Sequence, residues 1–193
     1  MILLEYSERP MKKIGIFFGT DTGTTRLVAK KIYKALGDDV ADKPKNINRT
    51  SPDELMHYDC LILGTPSYGA GDLPGTQVGC VEAGWADFAP HLDGYDLSGK
   101  RVALFGLGHQ ERYASRFASS LIKLYQLVYG YGAEVVGHWS TDGYEFEHSD
   151  AVVDGEFIGL VVDQRTQAFL TDERIARWLE QTLPLLQDQS DAA

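Results

Sequence analysis

Two cysteines, Cys60 and Cys80, are too few for a disulfide framework, and Cys60 lies in the apolar run Cys60 to Leu63, where it reads as a small core residue. A reducing, cytoplasmic setting is expected. Positive charge is also scarce. Eighteen Lys and Arg against 28 Asp and Glu give a net charge of -10, which would repel nucleic-acid phosphates and suits solubility or docking onto basic proteins. No uninterrupted apolar stretch approaches membrane-spanning length, and no basic region followed by an apolar one opens the chain, so neither a membrane span nor a secretory leader is expected. The histidines His57, His91, His138 and His148 share no metal-ligand spacing, and no metal site is expected.

What the chain does have is enough apolar residue, 44% of 193, to bury the core of one domain. A second methionine, Met11, directly precedes the first apolar run. Residues 1–11 are therefore expected to be an extension, 12–186 the domain and 187–193 a polar tail.

The most informative segment runs from Gly15 to Val28: an apolar strand, a hydroxyl-rich turn, then a helix start. Thr20, Thr22, Thr24 and Thr25 supply hydroxyls, and Gly23 lets backbone N–H groups converge at a helix N-terminus, the elements of a phosphate cradle. It is not a P-loop. Gly19 and Gly23 are one residue too close for that motif, and Thr24 stands where its lysine must be, so triphosphate hydrolysis is not expected. An ordinary N-capped helix is the competing explanation, since caps are built from the same residues.

The other strong apolar runs, Cys60 to Leu63 and Val102 to Phe105, are continuous rather than alternating, as strands buried on both faces of a parallel sheet should be. Helical spacing separates them. Val28, Ile32, Ala35 and Leu36 form one stripe, ended by Gly37; Phe117, Leu121, Leu124, Val128 and Tyr131 form another, closed by Gly130 and Gly132. A last helix is expected from Thr171, burying Ile175, Leu179 and Leu183 before Pro184 interferes. Alternation of this kind predicts an α/β doubly wound sheet with ligands beyond the carboxyl ends of its strands. Three loops should then meet on one edge: Gly19 to Thr24, Gly64 to Gly75 and Gly106 to Tyr113. The second and third each carry a tyrosine, Tyr68 and Tyr113, and the pair could clamp a planar ring. Singly, each is as well explained by packing.

Together with Gly64-Thr65-Pro66, Phe105 to Gly108 and the run Trp139 to Tyr144, these loops make the chain resemble a long-chain flavodoxin from about Lys12 to Leu186. The resemblance is closest to flavodoxins that serve nitrogenase. It implies a five-stranded parallel sheet of order 2-1-3-4-5, helices on both faces, and an insertion at about residues 140–156 splitting the last strand, which resumes at Phe157 to Val162. It implies noncovalent FMN. Thr20, Asp21, Thr22, Gly23, Thr24 and Thr25 would hold its phosphate. Thr65, Pro66, Ser67, Tyr68, Gly69, Ala70 and Gly71 would line the inner ring face, Tyr113 would cover the outer face, and Gly106, Leu107, Gly108, His109 and Gln110 would border the pyrimidine edge. The function implied is a monomeric, low-potential one-electron carrier using the semiquinone/hydroquinone couple. Its partners would be reductase and acceptor proteins with basic docking surfaces, the nitrogenase iron protein among them, and its setting nitrogen fixation in the cytoplasm.

Three positions depart from the family pattern: Tyr68, where many members have Trp; His109, where Asp is usual; and Asp163-Gln164-Arg165, often more acidic. A protonated His109 would raise the potential of an anionic reduced flavin. Two rival functions share the topology. An FMN-dependent NAD(P)H:quinone reductase would need a second substrate pocket, for which no nicotinamide motif is evident. A phosphorylated receiver would need acidic residues where Gly19-Thr20 and Gly64-Thr65 stand.

Overall fold

A computed structural model describes residues 13–69 and 71–188. The expected extension at residues 1–11, most of the tail and Ala70 lie outside the described residues.

Five parallel strand positions form the sheet, in the order β2-β1-β3-β4-β5: β1 (Gly15–Phe18), β2 (Lys45–Asn46), β3 (Cys60–Thr65), β4 (Arg101–Leu107) and β5 (Glu134–Val136). The three apolar runs are its centre. β1 is buried along its whole length, and Ile16 pairs with Ile62, which pairs with Ala103. Such burial on both faces is why these runs do not alternate.

The last position is filled in two pieces. β5 pairs with Arg101 to Ala103, whereas β9 (Leu160–Val162) pairs with Phe105 to Leu107. The chain between them forms a second small antiparallel sheet, β6 (Trp139–Ser140), β8 (Glu156–Phe157) and β7 (Val152–Val153). The insertion is thus wider than expected and folded, and Phe157 belongs to it rather than to the resumed strand. An aromatic cluster of Phe117, Tyr144, Phe146 and Phe157 fastens it to the body. Arg174 caps the cluster with its guanidinium 3.9 Å from the Tyr144 ring centre, and burial pushes the Tyr144 phenol up to about 12.

Helix α1 (Thr24–Leu36) buries Thr25, Val28, Ala29 and Ile32 and stops at Gly37, whose φ of 84° only glycine adopts without strain. Ala35 is exposed and is not part of the stripe. α2 (Pro52–Met56) and α3 (Trp85–Phe88) are single turns, and α4 (Ser120–Gly130) begins after Phe117, which is buried but precedes the helix. α5 (Thr171–Leu186) lies beside α1, joined by a Lys31–Asp172 ion pair at 2.6 Å. Pro184 does not end it. The last turn is held by fully buried Leu186, by the Cys60 thiol donating to the Leu186 carbonyl at 3.0 Å, and by Arg101 donating to Leu185; these contacts outweigh the one helical bond that proline forfeits.

Candidate functional site

The first loop leaves β1 at the carboxyl edge of the sheet. Gly23 precedes α1 with φ 90°, and no side chain caps the helix. That observation removes the ordinary-cap explanation, because the amides of the first turn have no carbonyl partner within the helix and remain a site for an anion. The Thr20 hydroxyl accepts the Gly23 amide at 3.0 Å and shapes the turn, while the Thr25 hydroxyl is buried with no hydrogen-bond partner. Thr22 and Thr24 bring their hydroxyls within 3.4 Å of each other. Asp21 behaves differently: its carboxylate accepts the Val81 amide at 3.0 Å, so its side chain ties two loops together and only its backbone suits an anion.

The second loop is fastened to the first through one carbonyl. Gly64 O accepts both the Gly19 amide at 3.0 Å and the Trp85 indole N–H at 2.8 Å. The Trp85 ring lies so close to Gly19 that a Cβ there would come within 2.7 Å of it, which explains a glycine between strand and cradle. Trp85 was not legible as a site residue, since a tryptophan opening a helix has many structural uses. Thr65 is buried and donates to the Pro66 carbonyl at 3.1 Å, Ser67 keeps a buried hydroxyl without a partner, and Gly69 and Gly71 hold φ of 53° and 99°. Tyr68 is half-buried. Its amide donates to Ser120 at the start of α4 at 3.1 Å, and burial, with the Cys80 sulfur and the Asp21 carboxylate nearby, pushes its phenol up.

Gly106 and Leu107 are still part of β4, so the third loop begins at Gly108 rather than at Gly106 as expected. A Cβ at Gly108 would meet the Phe117 ring at 2.4 Å, so the backbone can pass there only as glycine. His109 accepts the Arg112 amide at Nδ1, at 3.3 Å, and lies edge-on to Tyr113 with 6.3 Å between ring centres. Tyr113 is 38% exposed, and the Arg112 and Arg116 guanidiniums lie 5.4 and 5.5 Å from its ring centre. Two guanidiniums thus flank the Tyr113 ring, in a loop that also carries the exposed carboxylate of Glu111. No ring contact joins Tyr68 to Tyr113 among the described residues; the second loop is tied instead to the start of α4, through the Tyr68 amide and Ser120.

Gln110 is a brace. Its side-chain amide donates to Thr166 and accepts the Glu145 amide, while its own backbone N–H donates to Asp163 at 3.0 Å. Asp163, fully buried at the end of β9, also accepts the Thr166 hydroxyl and the Thr166 and Arg165 amides. Burial favours its neutral form, but these hydrogen bonds win and hold its carboxyl below the usual carboxylate value. An Asp directly after an apolar strand, with Thr three residues on, was the available signal for this turn.

An uncapped helix start beside two aromatic loops, with the Thr25 and Ser67 hydroxyls buried and unpaired, defines a doubly wound protein built to hold a phosphate at one end and a flat ring at the other. The flavodoxin family model matches residues 16–178. A flavodoxin of Klebsiella pneumoniae is 49% identical over 89% of this chain and 97% of its own, and flavodoxin 1 of Escherichia coli K12 is 44% identical over 86% and 90%. The crystal structure of Fusobacterium nucleatum flavodoxin bound to flavin mononucleotide is similar with a TM-score of 0.78 and 34% identity, covering 89% of this chain and 96% of that one. The chain belongs to the flavodoxin family. It is an FMN-based electron carrier rather than an enzyme, and its partners are redox proteins.

Proposed function

We propose that this carrier holds FMN in the three-loop site and works at low potential. The observation that carries the assignment is the uncapped start of α1 with the buried, unpaired Thr25 hydroxyl beneath it. Thr20, Thr22, Gly23, Thr24, Thr25 and the Asp21 backbone would hold the phosphate. Tyr68 and Tyr113 would cover the ring, with Thr65, Pro66, Ser67, Gly69, Ala70 and Gly71 along the inner face. Gly106, Leu107, Gly108 and His109 would border the far edge, and Gln110 would position that edge through Asp163. Bound FMN supplies the one-electron chemistry; the chain supplies binding, orientation and field. A glycine at position 69, already at positive φ, lets the neighbouring peptide turn with little cost.

Exposed Asp72, Glu111, Asp142, Glu145 and Glu147 lie on the surrounding loops and suit basic partner surfaces. The nitrogenase iron protein is the acceptor proposed, on the strength of the resemblance to nitrogenase-linked flavodoxins. A chain with only two cysteines suits a reducing cytoplasm, no helix among the described residues is long and apolar enough to cross a membrane, and a monomer is the proposed state. The domain proposed spans residues 12–186.

Apoprotein titrated with FMN tests the site: stoichiometric quenching of flavin fluorescence, lost with riboflavin, is expected. Equal affinity for riboflavin would overturn the phosphate assignment. Reduced protein mixed with purified iron protein then tests the partner, expected to reoxidise at a rate that falls with added salt.

A further inference from the structure

A basic feature lies where β1 and its edge neighbour β2 end against α1. A cavity of about 290 Å³ opens at the carboxyl ends of β1 and β2, between Phe18, Asn46, Arg26 and Lys30 of α1, Lys45 of β2 and Arg49 of the following turn. Four cationic side chains from three elements converge there in a chain of net charge -10. Lys45 is paired with Glu54, but among the described residues no carboxylate pairs with Arg26, Lys30 or Arg49. Arg26 and Lys30 stand four apart on one helix, where like charges repel. Gathering two further cations beside them adds to that repulsion, and a bound polyanion relieves it.

We propose that this cavity is a second anion site, separate from the FMN phosphate cradle, which takes the diphosphate group of a small phosphate compound. The chemistry matches the lining. Arg26 and Arg49 offer planar forks suited to two phosphate oxygens each, and Lys30 and Lys45 add point charges. Asn46 is almost fully buried at the end of β2. Its Oδ1 already accepts the Asn48 amide at 3.2 Å, so its remaining polar group is the Nδ2 donor. The volume lies at the lower end of small-molecule sites, enough to enclose phosphates but not an attached base or cofactor ring. Phe18 and Arg26 flank the first loop, but none of the lining residues is among those proposed to hold the flavin.

The test uses FMN-loaded protein, whose phosphate cradle is filled. Backbone amide NMR is followed while inorganic phosphate, pyrophosphate, ADP or chloride is added at matched ionic strength. Saturable shifts at Arg26, Lys30, Lys45, Asn46 and Arg49 are expected, tighter for pyrophosphate than for phosphate. Lys30→Gln and Arg49→Gln should each weaken pyrophosphate roughly tenfold, as loss of one charge-assisted contact implies. ADP binding as tightly as pyrophosphate assigns the diphosphate to a nucleotide, and weaker ADP assigns it to a free inorganic anion. Shifts that rise without saturation and are reproduced by chloride, shifts confined to residues 20–25, or affinity unchanged in both variants would overturn the proposal. The substituted side chains are exposed, and retained flavin absorbance confirms that each variant is folded.

Discussion

The indole of Trp85 and the carbonyl of Gly64 form a 2.8 Å hydrogen bond at the point where the first two site loops leave the sheet, and the same carbonyl also accepts the Gly19 amide. One oxygen thus ties together the first two loops of the proposed FMN site. Trp85→Phe keeps most of the bulk and removes the donor. It should cost about 1 kcal/mol in urea unfolding of the apoprotein and weaken FMN several-fold. Unchanged FMN affinity would show that the bond serves packing alone.

Thr25 gives a prediction of opposite signs. Its hydroxyl is buried and unpaired, so Thr25→Val removes a desolvated group without changing shape. The apoprotein should gain about 1 kcal/mol, while FMN should bind roughly tenfold more weakly. Calorimetry of apoprotein and fluorescence titration measure the two effects independently, and a parallel loss in both would mean that the hydroxyl is satisfied without ligand.

Asp163 sets an acid dependence. Folding favours its ionised form, so its stabilisation is complete above the unfolded value of 3.8 and is lost as pH falls through that value toward the lower folded-state one. Asp163→Asn should destabilise by about 2 kcal/mol near neutrality. The difference in Tm between the two proteins should shrink on acidification below about pH 4. A constant difference across that range would remove the carboxylate's charge from the explanation.

In the third loop, His109→Asp places a negative charge beside the proposed site while Arg112 and Arg116 remain. The midpoint potential of bound FMN should fall by tens of millivolts, since about 1.4 kcal/mol corresponds to about 59 mV for one electron. Spectroelectrochemical titration reads this directly, and an unchanged potential would place the imidazole outside the flavin's field.

The sheet was legible because its three central strands are buried on both faces and are punctuated by Gly19, Gly64 and Gly106. The hydroxyl loop was legible as a helix start, but only its structure, with no side-chain cap at Gly23, separates it from an ordinary capped helix. The insertion was read only in part: its strands are two residues long, too short for any period to register. Trp85 and Asp163 were missed as organisers because their roles depend on partners far along the chain, Gly64 and Gln110. Pro184 misled for the same reason: the contacts holding the last turn of α5 come from Cys60 and Arg101.

The two-piece filling of the fifth strand position acts as a splice point. β5 and β9 each take their register from a different half of β4, so neither ladder depends on the length of chain that links them. That link can vary at its exposed turns while Tyr144, Phe146 and Phe157 stay packed on Phe117, the Glu145 amide stays on Gln110, and Asp163 stays seated behind it. Descendants of one ancestral carrier can thus acquire new outer contours, and with them new acquaintances, without retuning the cradle itself.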